Sequence, residues 1–183
     1  PGIDFRYQYL TGGFGARGWS RWNPDGTFVS RYVRESRRAG ITPVFTYYQA
    51  LSASPAPPDA GEDEAELATL RSAATMRRYD ADLALAMRRA KAAADGRLVV
   101  FHIEPDLWGY LMQHGERALA RRFARRVLRI RDRIAPRTIA LGWHLSVWGA
   151  KEDPTYSNPG VAHMRALGRR HARFYRSLRT RFD

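Results

Sequence analysis

The sequence predicts an α/β fold with a parallel sheet, about half of a (β/α)8 TIM-like barrel, in one partial domain spanning residues 1–183. A unit of strand, long loop and helix repeats four times, which favours parallel strands joined by right-handed crossovers. The third strand is a continuous apolar run, typical of a strand buried on both faces. A whole barrel takes about 250 residues, so four units make about half. An open doubly wound parallel sheet is the alternative, although the glycine-rich loop at 11–15 lacks phosphate-binding spacing.

The elements follow from hydrophobic periodicity and from glycine and proline positions. The predicted strands are Ile3–Leu10, Ile41–Tyr48, Leu98–Glu104 and Thr138–Trp148. Helices with apolar residues at three- and four-residue spacing are predicted at about Phe28–Arg38, Glu64–Ala94 with a break near Thr75, Glu116–Ile134 and Val161–Thr180. The segment Gln49–Glu64 is a long loop over a strand end, and such loops usually form a binding loop or a lid.

Composition excludes several classes of protein. Hydrophobic residues make up 44% of the chain and aromatic residues 12%, so the chain is globular rather than disordered. No apolar run reaches the roughly 18 residues of a membrane helix, so no membrane partner is expected. The absence of cysteine excludes disulfides and thiolate metal sites. The chain starts at Pro1 without a signal peptide, and an upstream leader could precede it.

The net charge is +13, and it comes almost entirely from arginine: of 31 basic residues only Lys91 and Lys151 are lysines. Most arginines alternate with the apolar stripes of predicted helices, which indicates solvated outer faces. A basic excess can also bind a polyanion, which stays an alternative. We do not expect nucleic acid as a partner.

The stretch Leu98–Leu111 holds the main candidate site. Its apolar strand is followed at short spacing by His102, Glu104 and Asp106. Strand alternation places His102 and Glu104 on one face, and Pro105 ends the pairing, so Asp106 lies on the loop beyond. Catalytic groups of α/β enzymes gather at such strand ends. The alternative is a core strand whose polar end is merely solvated or hydrogen-bonded.

Aromatic and polar residues cluster at or beside all four predicted strand ends. Rings with interspersed carboxylates and amides suit a sugar, whose C–H face stacks on aromatics while its hydroxyls need hydrogen bonds. We expect Trp143 to pack in the core instead. The candidate substrate-binding residues are Tyr7, Tyr9, Trp19, Tyr47, Tyr48, His102, Trp108, His144, Ser146 and Trp148.

The segment Val99–Leu107, VVFHIEPDL, resembles the "vIEPDsL" segment of the family 6 glycoside hydrolases, cellobiohydrolases and endoglucanases with a distorted barrel. The resemblance implies that Asp106 is the general acid of an inverting mechanism. The stretch 140–144 and Trp148 are similar to the family's next strand, which ends in Gly-His and a substrate-stacking tryptophan. The family's YDxPxRD aspartate pair has no counterpart in Phe45–Gln49. The chain also resembles bacterial secreted proteins with glycosidase-like barrels, which implies an extracellular location.

The predicted function is hydrolysis of a polysaccharide or oligosaccharide by two carboxyl groups, without a cofactor. Asp106 or Glu104 would be the general acid, with Glu104 better placed to hold and tune Asp106. The partner carboxylate would come from a later strand in the remainder of the barrel, outside this chain. One alternative is a non-catalytic carbohydrate- or polyanion-binding barrel. Another is a metal site of His102, Glu104 and His144, although no metal-ligand spacing supports it.

Overall fold

A computed structural model describes residues 2–180 and 183 and contains one four-stranded, all-parallel sheet. The sheet order follows the chain, β1-β2-β3-β4. The strands are β1 Phe5–Thr11, β2 Thr42–Tyr48, β3 Val99–Ile103 and β4 Ile139–Gly142. Helices lie between successive strands, so the predicted parallel α/β class is confirmed.

Eight helices occur in the described residues. They are α1 Trp19–Trp22, α2 Thr27–Arg38, α3 Glu62–Arg71, α4 Ala73–Ala94, α5 Leu107–Gln113, α6 Arg117–Ile134, α7 Pro154–Ser157 and α8 Val161–Ser177. The predicted break near Thr75 lies at Ser72, because Ser72 has extended backbone and its hydroxyl accepts from the Thr75 amide, capping α4. None of these helices combines the length and apolar character needed to cross a bilayer.

Near the site, one predicted boundary is wrong and one helix was not predicted. The fourth strand, expected to reach Trp148, stops at Gly142, and a 3-10 turn over 147–149 follows. The Ser146 hydroxyl accepts from the Trp148 amide and caps this turn, so the backbone leaves the sheet. Helix α5 was not predicted, because its seven residues are too few to display a full helical period and it directly follows Pro105 and Asp106.

The two faces of the sheet have different surroundings. On one face, fully buried strand residues such as Phe45 and Phe101 share a core with side chains of α2, α4 and α6. The opposite face is open: Tyr7 is 67% exposed and Tyr9 is 47% exposed. A cavity of about 480 Å³ on that side is lined by Phe5, Arg6, Tyr7, Tyr9, Val44, Thr46, Val100, His102 and Gly142. We call this side the open face.

Candidate active site

The candidate site lies where β2 and β3 end. Because neighbouring parallel strands end at the same edge of a sheet, the segments after them meet there. Three carboxyl groups interact electrostatically at this edge, those of Glu66, Glu104 and Asp106. We call these three residues the carboxyl cluster.

Glu104 is turned away from the open face. It follows the last residue of β3 and has a left-handed backbone, with φ of +44°. Its fully buried carboxylate accepts hydrogen bonds from the Gln49 amide at 2.9 Å, the Ala50 amide at 3.1 Å and the Tyr79 hydroxyl at 3.0 Å. The prediction that it shares a face with His102 is therefore wrong, since regular alternation ends where the backbone becomes left-handed.

Burial raises the pKa of Glu104 to about 7, although its three hydrogen-bond donors favour the carboxylate. Non-glycine residues rarely adopt a left-handed backbone, at a cost of roughly 1 kcal/mol, which the bonds to Gln49 and Ala50 offset. Glu104 thus fixes the loop after β2 in position. With no exposed surface it does not reach a substrate, which corrects its assignment as a candidate general acid.

Asp106 is the half-buried carboxylate of the cluster and lies just before α5. Its Oδ2 accepts from the Tyr48 hydroxyl and its Oδ1 from the Trp148 indole N–H, each at 3.0 Å. Trp148 is 48% exposed. Burial and the charges of Glu66 and Asp106 raise the pKa of Tyr48 well above its usual value, so the phenol keeps its proton and donates. The arrangement holds one accessible carboxylate beside an accessible indole.

Glu66 is a member of the cluster that the sequence analysis missed. It lies on α3, is fully buried, and neither carboxyl oxygen has a hydrogen-bond partner among the described residues. Burial, reinforced by the charges of Glu104 and Asp106, raises its pKa to about 9. Glu66 is therefore protonated at neutral pH. Its one signal in the sequence was an acid between Ala65 and Leu67 on a helix, and all three are buried.

Polar contacts at the first turn of helix α3 hold this helix over the carboxyl cluster. The Tyr110 hydroxyl donates to Glu62 at 3.1 Å, and His114 pairs with Asp63 at 2.6 Å. The hydrogen bond from His114 lowers the pKa of Asp63. These contacts join α3 to α5 and its C-terminal cap, and so keep Glu66 covered.

A second buried carboxylate, Asp82, organises the other side of the β2 loop. Its Oδ2 accepts from the Trp19 indole at 2.7 Å, the Tyr47 hydroxyl at 2.7 Å and the Gln49 amide group at 3.3 Å. Gln49 in turn accepts from the Gly13 amide at 2.7 Å. Trp19 and Tyr47 are buried in this network, which corrects their prediction as substrate-binding residues, because their polar atoms already bond inside the protein.

Trp108 and Ser146 also prove to be structural. Trp108, the second residue of α5, is buried, donates its indole N–H to the Ile103 carbonyl at 2.8 Å and packs edge-on against Trp143, with the ring centroids 4.4 Å apart. Ser146 is buried, and its hydroxyl caps the 3-10 turn. Both were predicted to bind substrate and are inaccessible, because the Trp108 side chain extends from α5 into the core and Ser146 packs against Gly109 of α5. Trp143 packs against the core, as expected.

The accessible members of the predicted set lie on or beside the open face. The rings of His102 and His144 are 5.3 Å apart. Burial and the neighbouring His144 lower the pKa of His102. The rings of Tyr7 and Tyr9 meet edge to face at 5.8 Å. The residues that remain available for a ligand are Tyr7, Tyr9, Tyr48, His102, Asp106, His144 and Trp148.

A metal site does not form among the described residues. No group of three His, Asp or Glu side chains in residues 2–180 and 183 is arranged to hold an ion. The alternative set of His102, Glu104 and His144 is not assembled, because the Glu104 carboxylate points into the helix layer.

Comparison of the chain with protein-family models, curated proteins and solved structures gives no match in any of the three. A functional assignment therefore depends on the geometry of this edge of the sheet. Of the carboxyl groups of the cluster, only that of Asp106 is accessible to solvent, and two hydrogen bonds hold it in a fixed orientation. Glu104 and Glu66 lie behind it without exposed surface.

Proposed function

We propose that this chain forms four of the eight units of a (β/α)8 barrel, and that the protein is a carbohydrate-active enzyme, a glycoside hydrolase with Asp106 as general acid. The sequential strand order supports the barrel, since a doubly wound sheet reverses its order at a switch point. The uncovered, aromatic open face supports it too, because a closed barrel would bury that face as its interior.

The free edge of β4 offers a further argument for continuation of the sheet. The Leu141 backbone N–H, on the side away from β3, donates to the Asp183 carboxylate at 3.0 Å, and Arg131 pairs with the same carboxylate. An edge strand presents unpaired backbone groups, and a fifth parallel strand would satisfy them. Asp183 lies beside β4, where that strand would pair.

The observation that carries the proposed activity is the setting of Asp106. Its carboxylate lies at the carboxyl end of β3, fixed by Tyr48 and Trp148, and the Trp148 ring presents an exposed face beside it. An indole face stacks on the C–H face of a sugar ring, and a carboxyl group held next to it is placed to reach a glycosidic oxygen.

The hydrogen bonds indicate where the acidic proton would reside. An indole N–H can only donate, so Oδ1 must remain an acceptor for Trp148, whereas the Tyr48 hydroxyl can donate or accept. Protonated Asp106 would therefore carry its proton on Oδ2. Delivery of that proton to the glycosidic oxygen accompanies cleavage of the bond to the anomeric carbon. A partner carboxylate from the remaining barrel would activate water.

The test is a glycan hydrolysis screen of the full-length protein and its Asp106→Asn variant. Asparagine can still accept from Trp148 and can donate to Tyr48, so we expect a native circular dichroism spectrum and a loss of turnover of at least about a hundredfold. Asp95→Asn, at the exposed C-terminal cap of α4 and outside the site, is the matched control and should retain full activity.

Two outcomes would refute this assignment. Retention of activity by Asp106→Asn would move the acid role to another residue. Binding of glycans without cleavage of any would indicate the alternative function, a non-catalytic carbohydrate-binding barrel. In that case Trp148→Ala should weaken sugar binding while Asp106→Asn changes it little.

A further inference from the structure

A second concave site lies on the helix side of the sheet, away from the carboxyl cluster. Its cavity has a volume of about 260 Å³ and lies between α6 and the pair α3 and α4. We call it the arginine groove. Its walls carry Arg122, Arg125, Arg126 and Arg129, and its apolar lining consists of Leu70, Met76, Leu119 and Phe123.

The four arginines share one side of α6 because their spacing of three and four residues matches the helical turn. Arg126 has an acidic partner, Asp80, with N–O distances of 2.7 and 2.9 Å. The side chains of Arg122, Arg125 and Arg129 are exposed and form no ion pair or hydrogen bond with any residue in the described part of the chain. The groove therefore holds about three uncompensated positive charges.

Like charges one turn apart on a helix repel each other and destabilise the helix. An anion placed among them would remove that repulsion. The planar guanidinium group donates two parallel hydrogen bonds to an oxyanion, a geometry that suits phosphate. Of the apolar lining, Met76, Leu119 and Phe123 are only 2–4% exposed, so half-buried Leu70 and the methylene stems of the arginines would contact a nonpolar part of the same ligand.

We propose that the arginine groove binds a small phosphate monoester whose organic part is an apolar group about the size of one ring. The charge selects a phosphate monoester, which carries close to two negative charges at neutral pH, over a carboxylate, which carries one. The small volume selects a single ring over a larger ligand, since pockets for drug-sized molecules begin near 300 Å³. This binding is independent of the activity proposed for Asp106.

The experiment is calorimetric titration of the full-length protein with phenyl phosphate, followed by inorganic phosphate and benzyl alcohol. We expect phenyl phosphate to bind more tightly than either fragment, because only it contacts both the arginines and the apolar lining. Arg125→Gln and Arg129→Gln should each weaken its binding on the order of tenfold, the effect of losing a hydrogen bond between charged groups. Arg133→Gln, an exposed arginine of α6 outside the groove, removes the same charge and serves as the control.

The proposal fails on any of three results. Equal weakening by Arg133→Gln would show that the net charge of +13, and not the groove, attracts the anion. Equal binding of inorganic phosphate would show that the lining contributes nothing. Binding of heparin that is insensitive to Arg125→Gln and Arg129→Gln, with no binding of phenyl phosphate, would assign the basic surface to a polymer instead.

Discussion

Replacing Glu66 with glutamine should change how stability depends on pH. Glu66 is fully buried, and its pKa is raised from 4.5 to about 9. Below pH 4.5 the carboxyl group is protonated in both the folded and the unfolded protein, so its ionisation does not change the free energy of unfolding. As the pH rises from 4.5 toward 9, the unfolded chain releases the proton and the folded protein does not. Stability is therefore lost across that window.

The size of the effect follows from the shift. Each pH unit inside the window lowers the free energy of unfolding by about 1.4 kcal/mol, so Glu66 costs on the order of 3 kcal/mol at pH 7 relative to pH 4.5. Glu66→Gln has no proton to lose, and its buried amide costs the same at every pH. The free energy of unfolding of the variant, minus that of the wild type, should rise by about 3 kcal/mol between pH 4.5 and pH 7.

Urea unfolding at several pH values, read by tryptophan fluorescence, measures this difference. Taking the difference in the free energy of unfolding between the two proteins cancels the contributions of the other titrating groups. One of these is Glu104, whose pKa of about 7 would also lower stability over part of this range. Glu64→Gln, an exposed position on the same helix, is the control and should show no such trend. Parallel stability curves for wild type and Glu66→Gln from pH 5 to pH 8 would refute the reasoning.

Two further substitutions test the buried polar contacts. Glu104→Gln should destabilise the protein by about 2 kcal/mol or more at pH 8, because the amide NH2 would face a backbone N–H such as that of Ala50. Urea unfolding at pH 8 measures this loss of stability. An unchanged unfolding midpoint would contradict the hydrogen bonds described for Glu104. Tyr47→Phe removes a 2.7 Å hydrogen bond to buried Asp82 and should cost about 1.5–3 kcal/mol in the same assay. Tyr9→Phe, at an exposed ring, should be neutral; comparable losses for both tyrosines would show that the Asp82 contact contributes nothing specific.

Secondary structure was largely predictable because its signals are local. The apolar run of β3 and the proline after it placed that strand to within a residue at each end. Periodicity likewise placed α2 and α6, whose observed bounds lie within one residue of the predicted ones. Short elements failed: α5 is too short to display a period, and the residues after Gly142 are apolar enough to look like more strand.

The site was less predictable because its properties depend on contacts between distant segments. Trp108 follows the third predicted strand and Trp148 ends the fourth, yet one is in the core and the other is exposed, because Trp108 lies on α5 and packs inward against Phe123. Glu104 points into the helix layer because of one left-handed backbone angle. Glu66 gave only a weak signal, since its burial depends on how α3 packs over the strand ends.

Residue order alone was enough to predict a parallel α/β fold and acidic residues after its third strand. Those features depend on residue order and side-chain type along short stretches. The accessibility of Asp106, the burial of Glu104 as a support and the protonation of Glu66 at neutral pH depend on tertiary contacts. Access and protonation are set by the neighbours that exclude water from a group, and those neighbours come from other parts of the chain.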